Sequence, residues 1–357
     1  MAYQRDKKNL SRFELTGQLV ELKQEFEWLN EINAQSLQSA LKNLDTAYKN
    51  FFRTKEGFPR YKSKRDNFQS YQCPQHVKLD FEKARLYLPK FKEGIKIILR
   101  REFTGTIKTV TISRTPTNKY FASILVDDHK PLPDKLPIKE ETAVGIDVGI
   151  KTFATLSDGR KIENLKFSDK SLHRLKWMQR KFKRKKKGSN RRKRWQRKIA
   201  KVHERISNQR SDYLHKVSDA ITKQYNTVCI EDLKIKNMVK NKHLARSISD
   251  AGWGMFGTYL KYKCEWRGKN LIEIGTFEPS SKTCSVCGGK NADLQLSDRE
   301  WECTQCGAKL DRDLNAAINI KEFALNKTGW AVTEEDTELA DTGLGVEVSS
   351  AFQMGCS

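Results

Sequence analysis

Two acidic residues lie where a carboxylate is unusual unless it binds a metal ion. Asp147 interrupts the apolar run Val144-Gly145-Ile146-Asp147-Val148, and Glu231 ends a second run, Val228-Cys229-Ile230-Glu231. An ionised carboxylate inside an apolar strand is costly unless it is paired or bound to metal. Either acid alone is typical of a strand end, but the two together in a strongly basic chain favour metal ligands.

A third acid is expected at the start of a predicted helix, where Asp311 and Asp313 are both candidates. Either aspartate is also suited to cap that helix or to interact with its dipole, so the pattern alone does not choose between them. Carboxylates that hold two hard cations about 3.5–4 Å apart hydrolyse phosphodiester bonds. Oxygen ligands favour magnesium or manganese over zinc. The acids therefore indicate two Mg²⁺ or Mn²⁺ ions and phosphodiester chemistry.

Four cysteines form a second candidate metal site. Two Cys-x-x-Cys pairs are separated by 15 residues, and a glycine follows each pair, where a positive φ is useful. Two such pairs complete a tetrahedral sulfur site for structural zinc and leave no position for a catalytic water. A redox dithiol is the alternative. The predicted zinc ligands are Cys284, Cys287, Cys303 and Cys306, and the other cysteines (Cys73, Cys229, Cys264 and Cys356) are expected to be ordinary thiols.

The net charge narrows the choice of partner. The 357 residues carry a formal net charge of +24, with 37% hydrophobic and 31% charged residues. Such a charge opposes compaction unless a polyanion is bound, so nucleic acid is the first candidate partner and an anionic membrane surface the second. No run reaches the roughly 18 apolar residues of a membrane span, and the N-terminus has no apolar signal core. We expect a soluble, cytoplasmic, nucleoid-associated protein.

Changes of hydrophobic period predict the elements that position these residues. Helical spacing predicts two helices between residues 9 and 56, and alternation predicts short strands from 71 to 130, arranged as a small barrel. Pro131, Pro133 and Pro137 mark a linker. An apolar strand then contains Asp147, a second ends at Glu231, another strand covers 270–274, and a helix begins near Asp311. After Lys327 the chain is acidic and rich in Gly, Ser and Thr, which predicts disorder.

A basic helical hairpin connects the two acid-bearing strands. Residues 170–205 hold 18 Lys or Arg and one acid, with a predicted turn at 187–190. Basic side chains bind phosphates in a salt-dependent way, while Trp177 and Trp195 either form the core of the hairpin or stack on unpaired bases. The predicted nucleic-acid contacts lie here and in a basic loop after residue 57: Arg60, Lys62, Lys64, Lys181, Lys183, Arg184, Arg191, Arg192, Arg194 and Trp195.

Four motifs, in this order, resemble the TnpB (OrfB-type) proteins of bacterial insertion sequences, relatives of the type V CRISPR effector nucleases. The resemblance covers about residues 10–325. The motifs are Gly145-Ile146-Asp147-Val148-Gly149, Ile230-Glu231-Asp232-Leu233, Thr283-Cys284-Ser285-Val286-Cys287-Gly288 and Asp311-Arg312-Asp313-Leu314-Asn315-Ala316-Ala317. Relatives usually begin with a basic strand and a further helix before the position of Leu10, so we expect a shortened N-terminus.

The resemblance implies an α/β fold: an RNase H-like (RuvC) core with a basic helical insertion and a four-cysteine zinc ribbon, preceded by a helical region and a small β-barrel. It implies Asp147, Glu231 and Asp313 as the metal-binding triad, with Asp311 as a cap or as a residue that supports the ligands. The expected boundaries are a recognition region (1–70), a wedge-like barrel (71–138), a first RuvC segment (139–168), the hairpin (169–225), a second RuvC segment (226–279), the ribbon (280–309), a third RuvC segment (310–325) and an acidic tail (326–357).

The resemblance also implies RNA-guided cleavage of target DNA, with a guide RNA transcribed from the end of the transposon. Two alternatives stay open at the level of sequence. One is a non-catalytic nucleic-acid-binding regulator of transposition or transcription, and the other is a DNA-joining transposase.

Overall fold

The computed structural model describes residues 11–54, 57–60, 62–63, 69–276, 278–295, 298–327 and 350–354. The chain divides into two compact units, one formed by Met1–Lys130 with Thr342–Ser357 and the other by Pro131–Asp341. In the described residues no helix is both long and apolar enough to cross a membrane. All the candidate metal ligands belong to the second unit.

The first unit begins with two helices, α1 (Arg12–Glu25) and α2 (Ala34–Thr54). Helix α1 has a capping box: the Glu14 amide donates to Ser11 Oγ, and the Ser11 amide donates to the Glu14 carboxylate. A single 3₁₀ turn, Glu27–Asn30, precedes α2, close to the break that the sequence predicts.

Six short strands follow in this unit: β1 (Gln69–Cys73), β2 (Lys78–Asp80), β3 (Arg85–Tyr87), β4 (Ile95–Lys96), β5 (Thr106–Arg114) and β6 (Tyr120–Asp127). Strands β1, β5 and β6 are antiparallel neighbours, and β2, β3 and β4 form a separate sheet. The two sheets share one core that includes Leu86, Ile97, Val110 and Ile124. Closure into the expected barrel stays a prediction.

The second unit is built on a five-stranded mixed sheet. Its strands are β7 (Ala143–Val148), β8 (Thr152–Leu156), β9 (Lys161–Glu163), β10 (Thr227–Glu231) and β11 (Asn270–Ile274), in the order β11-β10-β7-β8-β9. Strands β7, β10 and β11 are parallel, while β8 pairs antiparallel with both β7 and β9. The central strand β7 is buried over its first four residues, as its apolar sequence requires.

Helices cover the sheet and connect its strands. Helices α3 (Phe167–Lys183) and α4 (Asn190–Gln224) connect β9 to β10, and α5 (Ile235–Met238), α6 (Ala245–Ala251) and α7 (Trp253–Trp266) connect β10 to β11. Ser189 caps α4, since its Oγ accepts from the Arg192 amide, and Gly188 before it has φ +82°. The main core joins β7, β8 and β10 to α4 and α7 through residues such as Phe153, Leu214, Val228, Phe256 and Leu260.

A small hairpin and a helix complete this unit. Strands β12 (Glu300–Glu302) and β13 (Lys309–Asp311) pair antiparallel, and α8 (Arg312–Lys327) follows at once. The helix continues two residues past the predicted boundary at 325.

The C-terminal tail departs from its prediction at five residues. Ser350–Met354 form a strand, β14, that pairs antiparallel with β6 in the first unit. Strand β6 otherwise offers one row of unpaired backbone groups, which a further strand satisfies. Disorder is therefore the wrong prediction for these five residues, and residues 328–349 of the acidic tail lie outside the described residues.

Candidate active site and metal centre

Two of the predicted acids lie side by side at one edge of the sheet. Ile146 of β7 pairs with Ile230 of the parallel strand β10, so the following residues, Asp147 and Glu231, are neighbours at the carboxyl ends of these strands. Both acids are partly buried. Parallel pairing thus brings together two carboxylates that are 84 positions apart in the sequence.

A glycine allows the third acid to approach the same edge. A Cβ atom placed on Gly145 would lie 2.0 Å from the Ala317 carbonyl oxygen, which means that α8 crosses β7 with no room for a side chain. Asp313 precedes Ala317 by four residues, about one turn of the helix. The close crossing therefore holds the first turn of α8, which carries Asp313, near the end of β7.

Burial and the neighbouring negative charges perturb the ionisation of Asp147. Burial, followed by the negative charges of Asp313 and Glu231, raises the pKa of Asp147 to about 8, although Arg312 and Arg299 act in the opposite direction. Burial, with a smaller contribution from Asp232, also raises the pKa of Glu231. Raised pKa values among converging acids are typical of a site that a cation would relieve.

Asp311 and Asp313, which the pattern could not separate, have different surroundings. Asp311 Oδ2 accepts from Lys161 Nζ at 2.6 Å, and Asp311 Oδ1 accepts from the Leu314 amide at 2.9 Å, which caps α8. Asp313 instead lies close enough to Asp147 to raise the pKa of Asp147. The Asp311 carboxylate is thus used by a cap and an ion pair, and Asp313 belongs to the acidic cluster.

Arg299 is a member of this cluster that sequence analysis missed. Its guanidinium lies 3.3 Å from the Asp313 carboxylate, and its carbonyl oxygen accepts from the Arg312 amide. It comes from the segment between the two cysteine pairs. One arginine among 68 Lys and Arg residues carries no signal in the sequence, so only the fold could identify it.

The four predicted cysteines converge on one point. Their sulfur atoms all lie within 4.8 Å of one another, with Cys284–Cys306 at 3.8 Å and Cys287–Cys303 at 3.6 Å. Zinc with Zn–S bonds of about 2.3 Å in tetrahedral geometry places its sulfurs about 3.8 Å apart. A disulfide would need about 2 Å. Among the described residues, no other group of three or more His, Cys, Asp or Glu side chains has its ligand atoms this close together. The three acids are also farther apart than this.

The backbone around the cysteines favours a zinc ribbon. The glycines that follow the two pairs, Gly288 and Gly307, have φ +75° and +71°, as the sequence predicts. Only a small cluster, which includes Leu294 and Trp301, packs beside the sulfurs. So small a core needs a further source of stability, which a metal supplies. Cys73, Cys229 and Cys264 are separate buried thiols, and Cys356 lies outside the described residues.

Two buried asparagines connect this ribbon to α8. Asn315 and Asn319, each 1% exposed, donate from Nδ2 to the Thr283 carbonyl oxygen at 2.7 and 2.6 Å, and Asn319 also donates to the Ser280 oxygen at 2.6 Å. The Ser285 amide donates back to Asn315 Oδ1 at 2.9 Å. Asparagines four residues apart on an amphipathic helix were the sequence signal that could have revealed this connection.

The predicted nucleic-acid contacts are mostly exposed side chains. Arg60 and Lys62 are exposed in the first unit, and Lys64 lies outside the described residues. On the hairpin, Arg192 is used internally: it donates to the Phe182 and Lys185 carbonyl oxygens and stacks on the Phe182 ring. The other hairpin cations in the predicted set are exposed: Lys181, Lys183, Arg184, Arg191 and Arg194.

The chain matches two protein-family models and several relatives. Residues 123–242 match the OrfB_IS605 family, described as "Probable transposase", and residues 253–320 match the "Cas12f1-like, TNB domain". A protein of Streptomyces pristinaespiralis named "Putative RNA-guided DNA endonuclease" is 40% identical over 89% of this chain and 79% of its own length. A protein of Escherichia coli K12 with the same description, InsQ, is 36% identical over 83% of this chain and 76% of its own.

A solved structure shows the same fold. The structure titled "Cryo-EM structure of the Cas12f1-sgRNA-target DNA complex" matches with a TM-score of 0.51 at 17% identity, over 81% of this chain and 70% of that chain. With the relatives above, the chain belongs to the OrfB_IS605 family, together with proteins named as TnpB-like or as RNA-guided DNA endonucleases.

Proposed function

We propose that this protein is an RNA-guided endonuclease that hydrolyses phosphodiester bonds of DNA at the carboxylate cluster of Asp147, Glu231 and Asp313. The observation that carries the proposal is the raised pKa of Asp147, which burial and the two neighbouring acids bring to about 8. Such a cluster is costly without a cation and becomes favourable with one. The relatives supply the substrate class, since their names describe RNA-guided cleavage of DNA.

The donor set fits hard divalent cations. The three acids offer only carboxylate oxygens, which Mg²⁺ and Mn²⁺ prefer. When bound, two such ions supply an activated water and stabilise charge on the phosphate and the leaving oxygen. Asp147 and Glu231 fix one side of the site from adjacent strands, and Asp313 approaches from α8. Arg299 keeps a positive charge beside Asp313 where the phosphate would bind.

Zinc has a separate, structural role in this proposal. The sulfur donors of Cys284, Cys287, Cys303 and Cys306 fit Zn²⁺, and four protein ligands leave no position for a water. The ribbon helps to position Asp313, because Asn315 and Asn319 bind the ribbon backbone from the same helix that carries Asp313.

Guide RNA and target DNA account for the basic surfaces. We assign residues 1–70 to recognition and 71–138 to the wedge that holds the RNA–DNA duplex and a short flanking DNA motif. The exposed cations Arg60 and Lys62 and the hairpin of α3 and α4 contact phosphates. The guide is expected to come from the end of the transposon, and the site of action is the bacterial nucleoid.

Purification of the full-length protein from its host, followed by sequencing of the bound RNA, tests the RNA partner. One discrete species from the end of the element is expected, and random RNA would contradict the proposal. The complex is then given Mg²⁺ and a DNA duplex that matches the guide. Asp147→Ala, Glu231→Ala and Asp313→Ala should each abolish cleavage and leave DNA binding within about twofold.

Asp311→Ala is the matched control, since it removes a carboxylate from the same turn of the chain. It should lose the cap and the ion pair with Lys161 but continue to cut. Cleavage by Asp313→Ala together with inactivity of Asp311→Ala would show that the third ligand is Asp311. Strand-joined products formed without RNA would instead identify a DNA-joining transposase, and binding without cleavage in every metal would identify a non-catalytic regulator.

A further inference from the structure

A groove of about 750 Å³ runs between helices α3 and α4. Lys170, Arg174 and Trp177 follow one another along α3 at helical spacing, and Trp195, Lys198, Lys201 and Arg205 do so along α4. All seven line the groove together with Phe167, Ser171, Met178, Val202 and Gln209. None of its lining residues is acidic, among those that the structure describes. Five cations thus face one concave surface.

Two tryptophans lie among these cations. The ring centroids of Trp177 and Trp195 are 5.6 Å apart, and Lys198 Nζ lies 5.3 Å from the centre of the Trp195 ring. Trp177 remains 50% exposed although it packs against Trp195. A large aromatic ring that stays half exposed beside cations is suited to stack on an unpaired base while the cations neutralise phosphates.

Helix α3, which forms one side of the groove, begins near the end of the sheet that carries the acids. Thr152 of β8 pairs with Glu163 of β9, and both lie at the end of the sheet where β7 reaches Asp147. Helix α3 starts four residues later, at Phe167. Asn164 Nδ2 donates to the Ile150 carbonyl oxygen at 2.8 Å, so the residues before α3 are bonded to the loop that follows Asp147. Trp177 lies about 15 Å further along the helix, a distance spanned by a few nucleotides.

We propose that this groove binds single-stranded DNA next to the carboxylate site, with a base stacked on Trp177 and phosphates on Lys198, Lys201 and their neighbours. The inference rests on the proposed function, because DNA cleavage is what makes a strand at this edge useful. DNA is favoured over RNA by position, since the strand to be cut must reach Asp147. Most of the groove residues differ from the nucleic-acid contacts predicted on the hairpin, which lie nearer the turn between α3 and α4.

A photochemical cross-link tests the site in the full-length protein. A 20-nucleotide oligothymidine with one 5-iododeoxyuridine is bound in magnesium-free buffer, irradiated, and the cross-linked peptides are identified by mass spectrometry. Cross-links at Trp177 or Trp195 are expected. In titrations of the same fluorescent oligomer, Trp177→Ala should bind about tenfold more weakly, and Trp177→Phe should recover most of the loss. Trp177 is half exposed, so its replacement leaves the core intact.

The salt dependence separates groove binding from general attraction to a basic protein. Lys198→Gln with Lys201→Gln should reduce the slope of log affinity against log salt by about 1.4, at about 0.7 per phosphate contact. Lys216→Gln with Lys223→Gln removes the same charge from exposed positions on α4 outside the groove and should change the slope much less. Equal slopes in the two double variants, with cross-links elsewhere, would overturn the proposal.

Two further results keep the groove and the proposed function distinguishable. If oligouridine of the same length binds more tightly and displaces the DNA from Trp177, the groove takes RNA and our assignment fails. Binding is measured without cleavage, and Asp147→Asn should cross-link as well as the wild-type protein. An inactive wild-type protein that still cross-links at Trp177 would therefore refute the nuclease and retain the groove, whereas an active protein without this cross-link would refute the groove alone.

Discussion

Replacing Asp147 with asparagine should stabilise the protein when Mg²⁺ is absent, although it destroys the proposed active site. The change keeps the size of the side chain and removes one of three converging negative charges. The pKa of Asp147 is raised to about 8 by burial and by Asp313 and Glu231, whereas an unfolded aspartate ionises near 3.9. Ionised Asp147 therefore opposes folding, and asparagine does not ionise.

The size of the effect follows from the pKa. Each tenfold difference in the ionisation constant corresponds to about 1.4 kcal/mol, so a displacement from about 4 to about 8 costs at most about 5 kcal/mol once the group is ionised. Asp147 keeps partial contact with solvent, and water reduces the cost, so we expect less than half of this maximum, roughly 2 kcal/mol. For a unit of about 200 residues this corresponds to a melting temperature about 4–8 °C higher.

The pH dependence has a definite sign. A carboxyl group whose folded pKa is raised contributes most to stability below its unfolded pKa, and the contribution is lost as the pH rises towards the folded pKa. In magnesium-free buffer the wild-type protein should therefore lose stability between about pH 4 and pH 8. Asp147→Asn should lose less, so the gap between the two proteins should be small near pH 5 and largest near pH 8.

The assay is thermal unfolding at several pH values, followed by tryptophan fluorescence, with zinc left bound and other divalent cations removed. Addition of 10 mM Mg²⁺ should raise the melting temperature of the wild-type protein at pH 8 and leave Asp147→Asn nearly unchanged. Asp311→Asn loses the ion pair with Lys161 but keeps an oxygen that can accept from the Leu314 amide, so it should be slightly less stable than wild type at pH 5 and at pH 8. If Asp147→Asn melts below the wild-type protein at pH 8 without Mg²⁺, ionisation of the buried Asp147 beside two other acids does not destabilise the fold.

Three other substitutions test neighbouring regions of the site. Gly145→Ala would place a methyl group 2.0 Å from a carbonyl oxygen of α8, so the helix must shift. We expect the free energy of unfolding to fall by at least about 2 kcal/mol. Cleavage of DNA, measured on the same variant, should be lost. Arg299→Gln should fold normally but cut on the order of 100-fold more slowly, as expected when a charge that stabilises the reacting phosphate is removed. Cys287→Ser should lower bound zinc, measured by elemental analysis, from one per chain to well below one, and cleavage should fall with it.

Sequence analysis succeeded where the physical cause is local. Continuous apolar runs located the strands that carry Asp147 and Glu231, because burial dictates apolar residues there. The cysteine pairs predicted the sulfur cluster, because two-residue spacing forms a turn whatever the rest of the fold does. The carboxylate of Asp313 could not be separated from that of Asp311 by pattern, since both begin the same helix and the difference is their orientation relative to β7.

The features that sequence analysis missed depend on distant contacts. Arg299 resembles any other basic residue until the hairpin of β12 and β13 brings it to Asp313. The strand Ser350–Met354 lies in a segment whose composition predicts disorder, and its partner β6 is more than 200 residues away. In both cases the information lies in a pairing between remote segments, which no local pattern contains.

On the proposed function, the position of Asp313 depends on the zinc site, although Asp313 is not one of the zinc ligands. Asn315 and Asn319 fix α8 to the backbone of the ribbon, and the cysteines hold the ribbon together. Asn319→Leu keeps the helix and the size of the side chain but leaves the Ser280 and Thr283 carbonyl oxygens with fewer donors, at a cost of about 1–3 kcal/mol. We expect cleavage to fall while zinc content and bound RNA stay unchanged, whereas Asn326→Leu, near the exposed end of the same helix, should cut normally. Equal activity of the two variants would mean that Asp313 is held in place by its contact with β7 alone.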